Sequence, residues 1–574
     1  MKKDGLHYNK EGFKNVMGLS VPGLVASVLF YALIVAVGFW GARRRLDRGR
    51  SANPSEDLML GGRNVGLVVG VFTIIATWVD GGLLSGIVEE TAVRGVLWCQ
   101  APVCFALSLL FVGAFFSGPM WRSGYVTLLD PLEKAFGSRV AALLFLPALV
   151  GEIFWCGAIL NALGATVSVI TGLGHVTCVL VAASVVMLYT CVGGLYSITY
   201  TDVLQLVLMF VGLWASVPFA MSNEHLRPLG SLPPDQWLGT VLPWQVPSYV
   251  DNFLMIVFGG VPWQNVFQRV LSAKTEFRAK ALPYAGCVGT LVLCLPVLLL
   301  GLVARAARWQ DTSYTSAAGG TRSPLEDESQ WSLLLPLTLQ HLTPKSVSVL
   351  GQGAVAAAAM SSADACMLSS GALFTKNVYV PLLRPKASET EKVWVLRSSI
   401  AATAVMSSAM AVSVDSVYGL SILIGDPVYV ILFPQLLAVL HFPSLCNAYG
   451  SLVAFLVGLT LRVIGGEPVL GLPALFRYPF YDETTQLQLF PFKTVAMLIS
   501  LATLVMVSAV AKAIFRTASL PPRYDLVHCQ FTGAVTCNTS SGEETTGTKG
   551  DAPVVSANSR SRMGNSQTEA VSSV

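Results

Sequence analysis

Apolar residues in this chain come in long, nearly unbroken runs rather than in the alternating or three-to-four spacing of a soluble domain. Runs near 20–41, 65–88, 97–118, 138–170, 174–193, 198–222, 248–268, 282–306, 345–375, 394–415, 417–440, 447–466 and 489–515 predict thirteen membrane helices. About 20 residues suffice to cross a hydrocarbon core, and only helices or closed barrels satisfy their backbone there. Two runs are interrupted. The second reads Ala76-Thr77-Trp78-Val79-Asp80-Gly81-Gly82 and the seventh Gly259-Gly260-Val261-Pro262-Trp263-Gln264. They lie five runs apart, the offset of a five-plus-five repeat whose second unit is inverted, about 65–222 and 248–440. Matched helix breaks in two halves are where secondary transporters place their substrate sites.

Composition sharpens the class. Only 12% of the 574 residues are charged and 53% are hydrophobic, against roughly 25% charged in soluble domains. A soluble enzyme, a disordered regulator and a nucleic-acid binder are excluded, and a net charge of +4 implies no polyanionic partner. No nucleophile–base pair or phosphate loop occurs in the connections, so no enzyme is expected. Most of the eleven cysteines lie in apolar runs, where a thiol acts as a small hydrophobe.

Alternate loops carry the basic residues: Arg43–Arg50, Arg122/Lys134/Arg139, Lys274/Arg278/Lys280, Lys376/Arg384/Lys386/Lys392 and Lys512/Arg516/Arg523. The positive-inside rule makes these loops cytoplasmic, with residues 1–19 an extracellular tail and 20–515 the thirteen-helix domain. The first run is too long for a cleaved signal, and arginines follow it. Residues 516–574 turn rich in Ser, Thr and Gly and read as a disordered cytoplasmic tail. That tail holds the sequon Asn538-Thr539-Ser540 and ends Ser572-Ser573-Val574, a PDZ-type ligand pattern.

Within the runs, three tryptophans lie away from the interfacial belts where Trp usually sits. Trp78 and Trp263 stand at the two breaks, and Trp155 closes Gly151-Glu152-Ile153-Phe154-Trp155. Three converging indoles suit a quaternary ammonium, with each desolvated cation–π contact worth about 2 kcal/mol; singly, each also serves as ordinary helix packing. Asp202 and Asp364 are intramembrane acids, hence functional candidates. Ser361 and Ser362 offer neutral oxygens for an alkali cation, with the unwound carbonyls of Ala76 and Val79 able to complete the shell. Paired serines also bond to their own helix backbone.

Ten phrases carry a resemblance: GLVVGVFTIIATWV (66–79), WCQAP (98–102), GYVTLLDP (124–131), GEIFW (151–155), VGGLYSITYTDVLQL (192–206), VPWQNVFQRVLS (261–272), MSSADA (360–365), FPQLL (433–437), LRVIGGEP (461–468) and FPFKT (490–494). From the first run to about Lys512 the chain resembles the sodium:solute symporter family, within its choline-transporting branch. The resemblance implies an all-α, multi-pass fold with a five-plus-five inverted repeat and discontinuous helices. It implies sodium-coupled import of choline or a close quaternary ammonium across the plasma membrane by alternating access, with chloride dependence. In the family this uptake supplies acetylcholine synthesis at synapses.

By position, Trp78, Trp155 and Trp263 match the aromatic cage, and Phe105 matches its fourth ring, where the family has Tyr. Ala76, Val79, Ala358, Ser361 and Ser362 match the sodium site. Asp202 and Asp364 match acids linked to a second cation site or its gating, while Ala365 and Cys366 stand where the branch has serines. Asp80 replaces a glycine of the branch's run after the first Trp. It is open to four roles: contact with the ammonium, an extra sodium ligand, a stand-in for chloride, or a hydrated group in the vestibule. Arg94, also a replacement, could pair with Asp80 or Glu90. These departures mark a diverged paralogue. Transport of another small organic solute, a non-transporting receptor or scaffold, and a homo-oligomer all remain open at this stage.

Overall fold

The computed structural model describes residues 21–47, 53–314, 323–414, 417–467, 472–483 and 487–516. The tail 1–19, the tail beyond Arg516, the sequon and the terminal Ser-Ser-Val lie outside them. Helices occupy every apolar run: α1 (Val21–Asp47), α2 (Leu67–Trp78), α3 (Gly81–Val93), α4 (Ala101–Phe111, continuing to Arg122), α5 (Ser138–Thr171), α6 (His175–Met221), α7 (Val246–Gly259) and α8 (Gln264–Ser272). They continue with α9 (Glu276–Ala306), α10 (Lys345–Phe374), α11 (Glu389–Ser413), α12 (Val417–Pro427, continuing to His441), α13 (Ala448–Ile464) and α14 (Phe492–Arg516). Among the described residues, nine helices are long and apolar enough to cross a bilayer, and α2 with α3 makes a tenth span.

The breaks fall where the sequence puts them. α2 and α3 meet at a 49° bend, and four residues, Gly260–Trp263, separate α7 from α8. One boundary differs. The runs at 174–193 and 198–222 form a single helical stretch of 47 residues, α6. Straight, it would reach about 70 Å, over twice the bilayer core, so the chain must turn within it. It turns at Gly194, with φ 55° and ψ −146°, a conformation that only glycine adopts readily. A Cβ there would also lie 2.6 Å from the Leu58 carbonyl oxygen.

α10 is the axis of the bundle. It packs against α5, α6 and α11, and every residue from Ala354 to Leu373 is buried. Ala, Ser and Gly dominate this stretch, as in membrane interfaces where small side chains let backbones approach. Its mid-section faces the α2–α3 break: a Cβ on Gly81 would sit 2.6 Å from Ala359 Cβ.

Candidate substrate and cation site

The first break is built by one carboxylate. Val79 leaves the helix at φ −92°, ψ 85°, and Asp80 then caps α3, its Oδ1 accepting the Leu83 N–H at 2.8 Å. The opening turn of a helix has N–H groups without partners, and Asp is among the best residues to satisfy one. The other oxygen, Oδ2, accepts the Trp155 indole N–H at 2.8 Å. Asp80 is 4% exposed, so it does not stand in an aqueous vestibule. Arg94 pairs with Glu90 at 2.8 Å and lies 3.8 Å over the Trp98 ring; of the two partners open to it, Glu90 is the one it takes.

The four rings named from the sequence form one continuous series. Phe105 meets Trp78 with centroids 5.5 Å apart, Trp78 meets Trp155 at 5.6 Å, and Trp155 meets Trp263 at 4.9 Å. All three contacts are edge-to-face, the favoured aromatic geometry. The tryptophans are buried and Phe105 is half-buried. Trp78 is held further by its N–H, which donates to the Phe105 carbonyl at 3.1 Å.

The cation candidates divide. The Ser362 hydroxyl donates to the Thr77 carbonyl at 2.9 Å and lies 3.3 Å from that of Ala76. It therefore sits at the C-terminal end of α2, where unpaired carbonyls concentrate negative charge. Val79 follows on the chain, and Ala358 lies one turn before Ser362 on α10. Ser361 turns elsewhere, donating to Asp202 Oδ1 at 2.5 Å. Asp364 Oδ2 accepts the Tyr189 hydroxyl at 2.8 Å. The set thus comprises a carbonyl–hydroxyl group at the break and a carboxylate group between α6 and α10.

Two charged residues that sequence reasoning passed over complete the second group. Arg269 on α8 is 2% exposed, and its Nη2 lies 3.7 Å from Asp202 Oδ2. Glu152 on α5 is 1% exposed and accepts from Asn265 Nδ2 at 3.2 Å. Both were legible. Glu152 is an acid inside an apolar run, three residues before Trp155 and so on its face of the helix, and Arg269 lies in the quoted VPWQNVFQRVLS phrase. Asp202 Oδ2, Asp364 Oδ1 and both amide atoms of Gln205 are buried without a hydrogen-bond partner among the described residues.

One end of the bundle holds a cavity of about 490 Å³ lined by Trp98, Tyr249, Asp251, Tyr418, Phe492 and Lys493. A narrow cleft shares Ile256 and Tyr418 with it and reaches Phe105 of the ring series. Beside the cavity, Arg462 pairs with Asp426 and Glu467, and Lys493 lies 3.5 Å from Asp426. The opposite end, carrying the basic loops near Arg122 and Lys274, is tied shut. Trp121 donates to the Ala273 carbonyl at 2.9 Å, Gln268 to that of Met59 at 2.7 Å, and the Leu128 N–H to Gln264 Oε1 at 2.7 Å. Arg63 adds bonds to the carbonyls of Gly124 and Tyr125.

The sodium:solute symporter family pattern matches residues 58–458. A high-affinity choline transporter 1 of Drosophila melanogaster is 49% identical over 512 residues, covering 89% of this chain and 82% of that protein. The Homo sapiens high affinity choline transporter 1 is 44% identical over 520 residues, covering 89% and 88%. Among solved structures, a Na+-coupled sialic acid symporter in a substrate-bound, outward-open state matches with a TM-score of 0.68 at 17% identity. The match covers 86% of this chain and 98% of that one, so the all-α inverted-repeat fold expected from the sequence is the fold observed. With the family pattern matched over most of its length and relatives of 44–49% identity, this chain belongs to the sodium:solute symporter family.

Proposed function

We propose that this chain imports choline, or a closely related quaternary ammonium, together with sodium by alternating access. The observation that carries the reading is the ring series Phe105–Trp78–Trp155–Trp263 lying at the α2–α3 break, beside buried oxygens suited to a cation. A quaternary ammonium donates no hydrogen bond, so aromatic faces are its natural ligands. Sodium fits the Ala76, Thr77 and Ser362 oxygens, with Val79 and Ala358 alongside. Asp202, Asp364 and Ser361 form the second cation group.

The repeats 65–222 and 248–440 rock about this site in our reading. The cavity faces outside and the hydrogen-bonded end faces the cytoplasm, as the basic loops require. A tenfold sodium gradient supplies about 1.4 kcal/mol, and about 60 mV adds roughly as much per charge. One sodium thus sustains about a hundredfold accumulation. Plasma-membrane residence, an extracellular N-terminus, chloride dependence and a PDZ partner at Ser572-Ser573-Val574 belong to the same proposal.

The test is uptake of labelled choline by cells expressing the chain, with sodium exchanged for N-methylglucamine and chloride for gluconate. Choline, betaine, carnitine and glucose compete in parallel. Saturable, sodium-dependent uptake blocked best by choline is expected, with loss in Trp78→Ala and Trp263→Ala at equal surface level. Strongest competition by a neutral sugar, or normal uptake by those variants, contradicts the reading.

A further inference from the structure

Asp80 meets two donors that can only donate. The Leu83 backbone N–H and the Trp155 indole N–H each lie 2.8 Å from one of its oxygens, so both oxygens act as acceptors, the arrangement of an ionised carboxylate. No Arg, Lys or His pairs with it among the described residues, and it is 4% exposed. Two indoles of the ring series, Trp78 and Trp155, donate their N–H groups to different kinds of acceptor. Trp78 donates to a neutral carbonyl at 3.1 Å, whereas Trp155 donates to a carboxylate. Charge-assisted bonds of this kind are about twice as strong as neutral ones. They also polarise the donor in a low-dielectric interior, pushing electron density onto the indole. Trp155 is one of the two inner links of the series, touching Trp78 on one side and Trp263 on the other. Whatever fixes and enriches this ring acts on the whole cage.

We propose that Asp80 is a positioning residue: through the Trp155 N–H it orients and electron-enriches the ring that faces the ammonium, so that the cage separates a cation from its neutral isostere. This inference rests on the choline reading above. It replaces the picture of a carboxylate touching the substrate by one acting from behind an indole. The selectivity follows from physics: a ring quadrupole deepened by a carboxylate at its N–H edge attracts a cation more strongly, while the dispersion contact with an uncharged tert-butyl group is unchanged. Choline and 3,3-dimethylbutan-1-ol differ in that one respect.

The experiment measures choline KM and kcat, and the inhibition constant of 3,3-dimethylbutan-1-ol, at matched surface level. The variants are Asp80→Ser, Trp155→Phe and their combination. Serine still caps α3 but leaves the indole N–H without its acceptor; phenylalanine keeps a ring and removes the donor. Asp80→Asn repeats the test with a side chain of the same shape and no charge. The expected result is a choline KM raised about tenfold in Asp80→Ser. The kcat and the inhibition constant of the neutral isostere should change little, and the double variant should be no worse than Trp155→Phe. Equal weakening of both ligands would reduce Asp80 to a structural cap. Additive losses in the double variant would mean direct contact with the ammonium. Either result overturns the inference while leaving sodium-coupled choline uptake standing. Absence of that uptake in the unmodified chain overturns the functional reading, and this inference with it.

Discussion

Two buried charge clusters in this protein are built on opposite terms. Beside the cavity, Arg462 ion-pairs with Asp426 and Glu467 and donates to the Gly466 carbonyl at 2.9 Å. Lys493 supports Asp426 from the other side. Between α5, α6, α8 and α10, the single Arg269 faces Asp202, Asp364 and Glu152, and its closest carboxylate contact is 3.7 Å. Among the described residues, one oxygen each of Asp202 and Asp364 lacks a hydrogen-bond partner, as do Arg269 Nε and Nη2; in the cluster beside the cavity, Asp426 Oδ1 and Arg462 Nε lack one too. A buried charge needs a partner. What separates the two is ion pairing: the outer cluster sets its acids and bases in close contact. The inner one is short of positive charge and loosely held. We therefore read the outer cluster as framework and propose the inner one as the place of the mobile cation.

The first way to break this contrast is Arg462→Ala. Removing one member of a buried pair costs about 3–5 kcal/mol, so the variant should lose most of its folded yield, read as a fall in melting temperature and monodisperse protein. Replacing all four members, as Arg462→Met with Asp426→Leu, Glu467→Gln and Lys493→Met, should recover most of that stability; failure to recover would mean the outer cluster is more than framework. The next effect is functional. Asp202→Asn and Asp364→Asn should fold normally yet raise the sodium half-saturation of uptake more than tenfold, a loss of about 1.4 kcal/mol or more. Smaller still, Ser362→Ala should raise it about fivefold, the worth of about one hydrogen-bond-like oxygen contact. Trp78→Phe should be mildest on sodium and raise choline KM several-fold, since the ring stays while the indole N–H to Phe105 is lost. A serine effect larger than either aspartate effect would reverse the order of the two cation groups.

Much of this was legible in the residues. Apolar runs located the helices, and glycine and proline punctuation located both breaks, because in lipid the backbone has few alternatives. Trp78 and Trp263 stood out by their positions at matched interruptions, and the family resemblance added Trp155 and Phe105 to the cage. What stayed hidden was side-chain direction. Ser361 and Ser362 are neighbours in sequence, but successive helix residues point about 100° apart. One therefore meets Asp202 and the other the Thr77 carbonyl. The partners of Asp80 were equally out of reach: nothing in the order of residues places Trp155 Nε1, on a different helix, 2.8 Å from its carboxylate. Gly194 turned α6 without ending it, because a single glycine can reverse the backbone and leave helical geometry on both sides.

The measurement closest to the central claim is sodium titration of choline uptake in proteoliposomes holding the purified chain or its Asp202→Asn variant, with folding checked by thermal melting. The account predicts saturable sodium activation of the unmodified chain, and a half-saturation shifted more than tenfold in a variant that melts normally. An unchanged half-saturation in that variant would contradict the assignment of the mobile cation to the inner cluster.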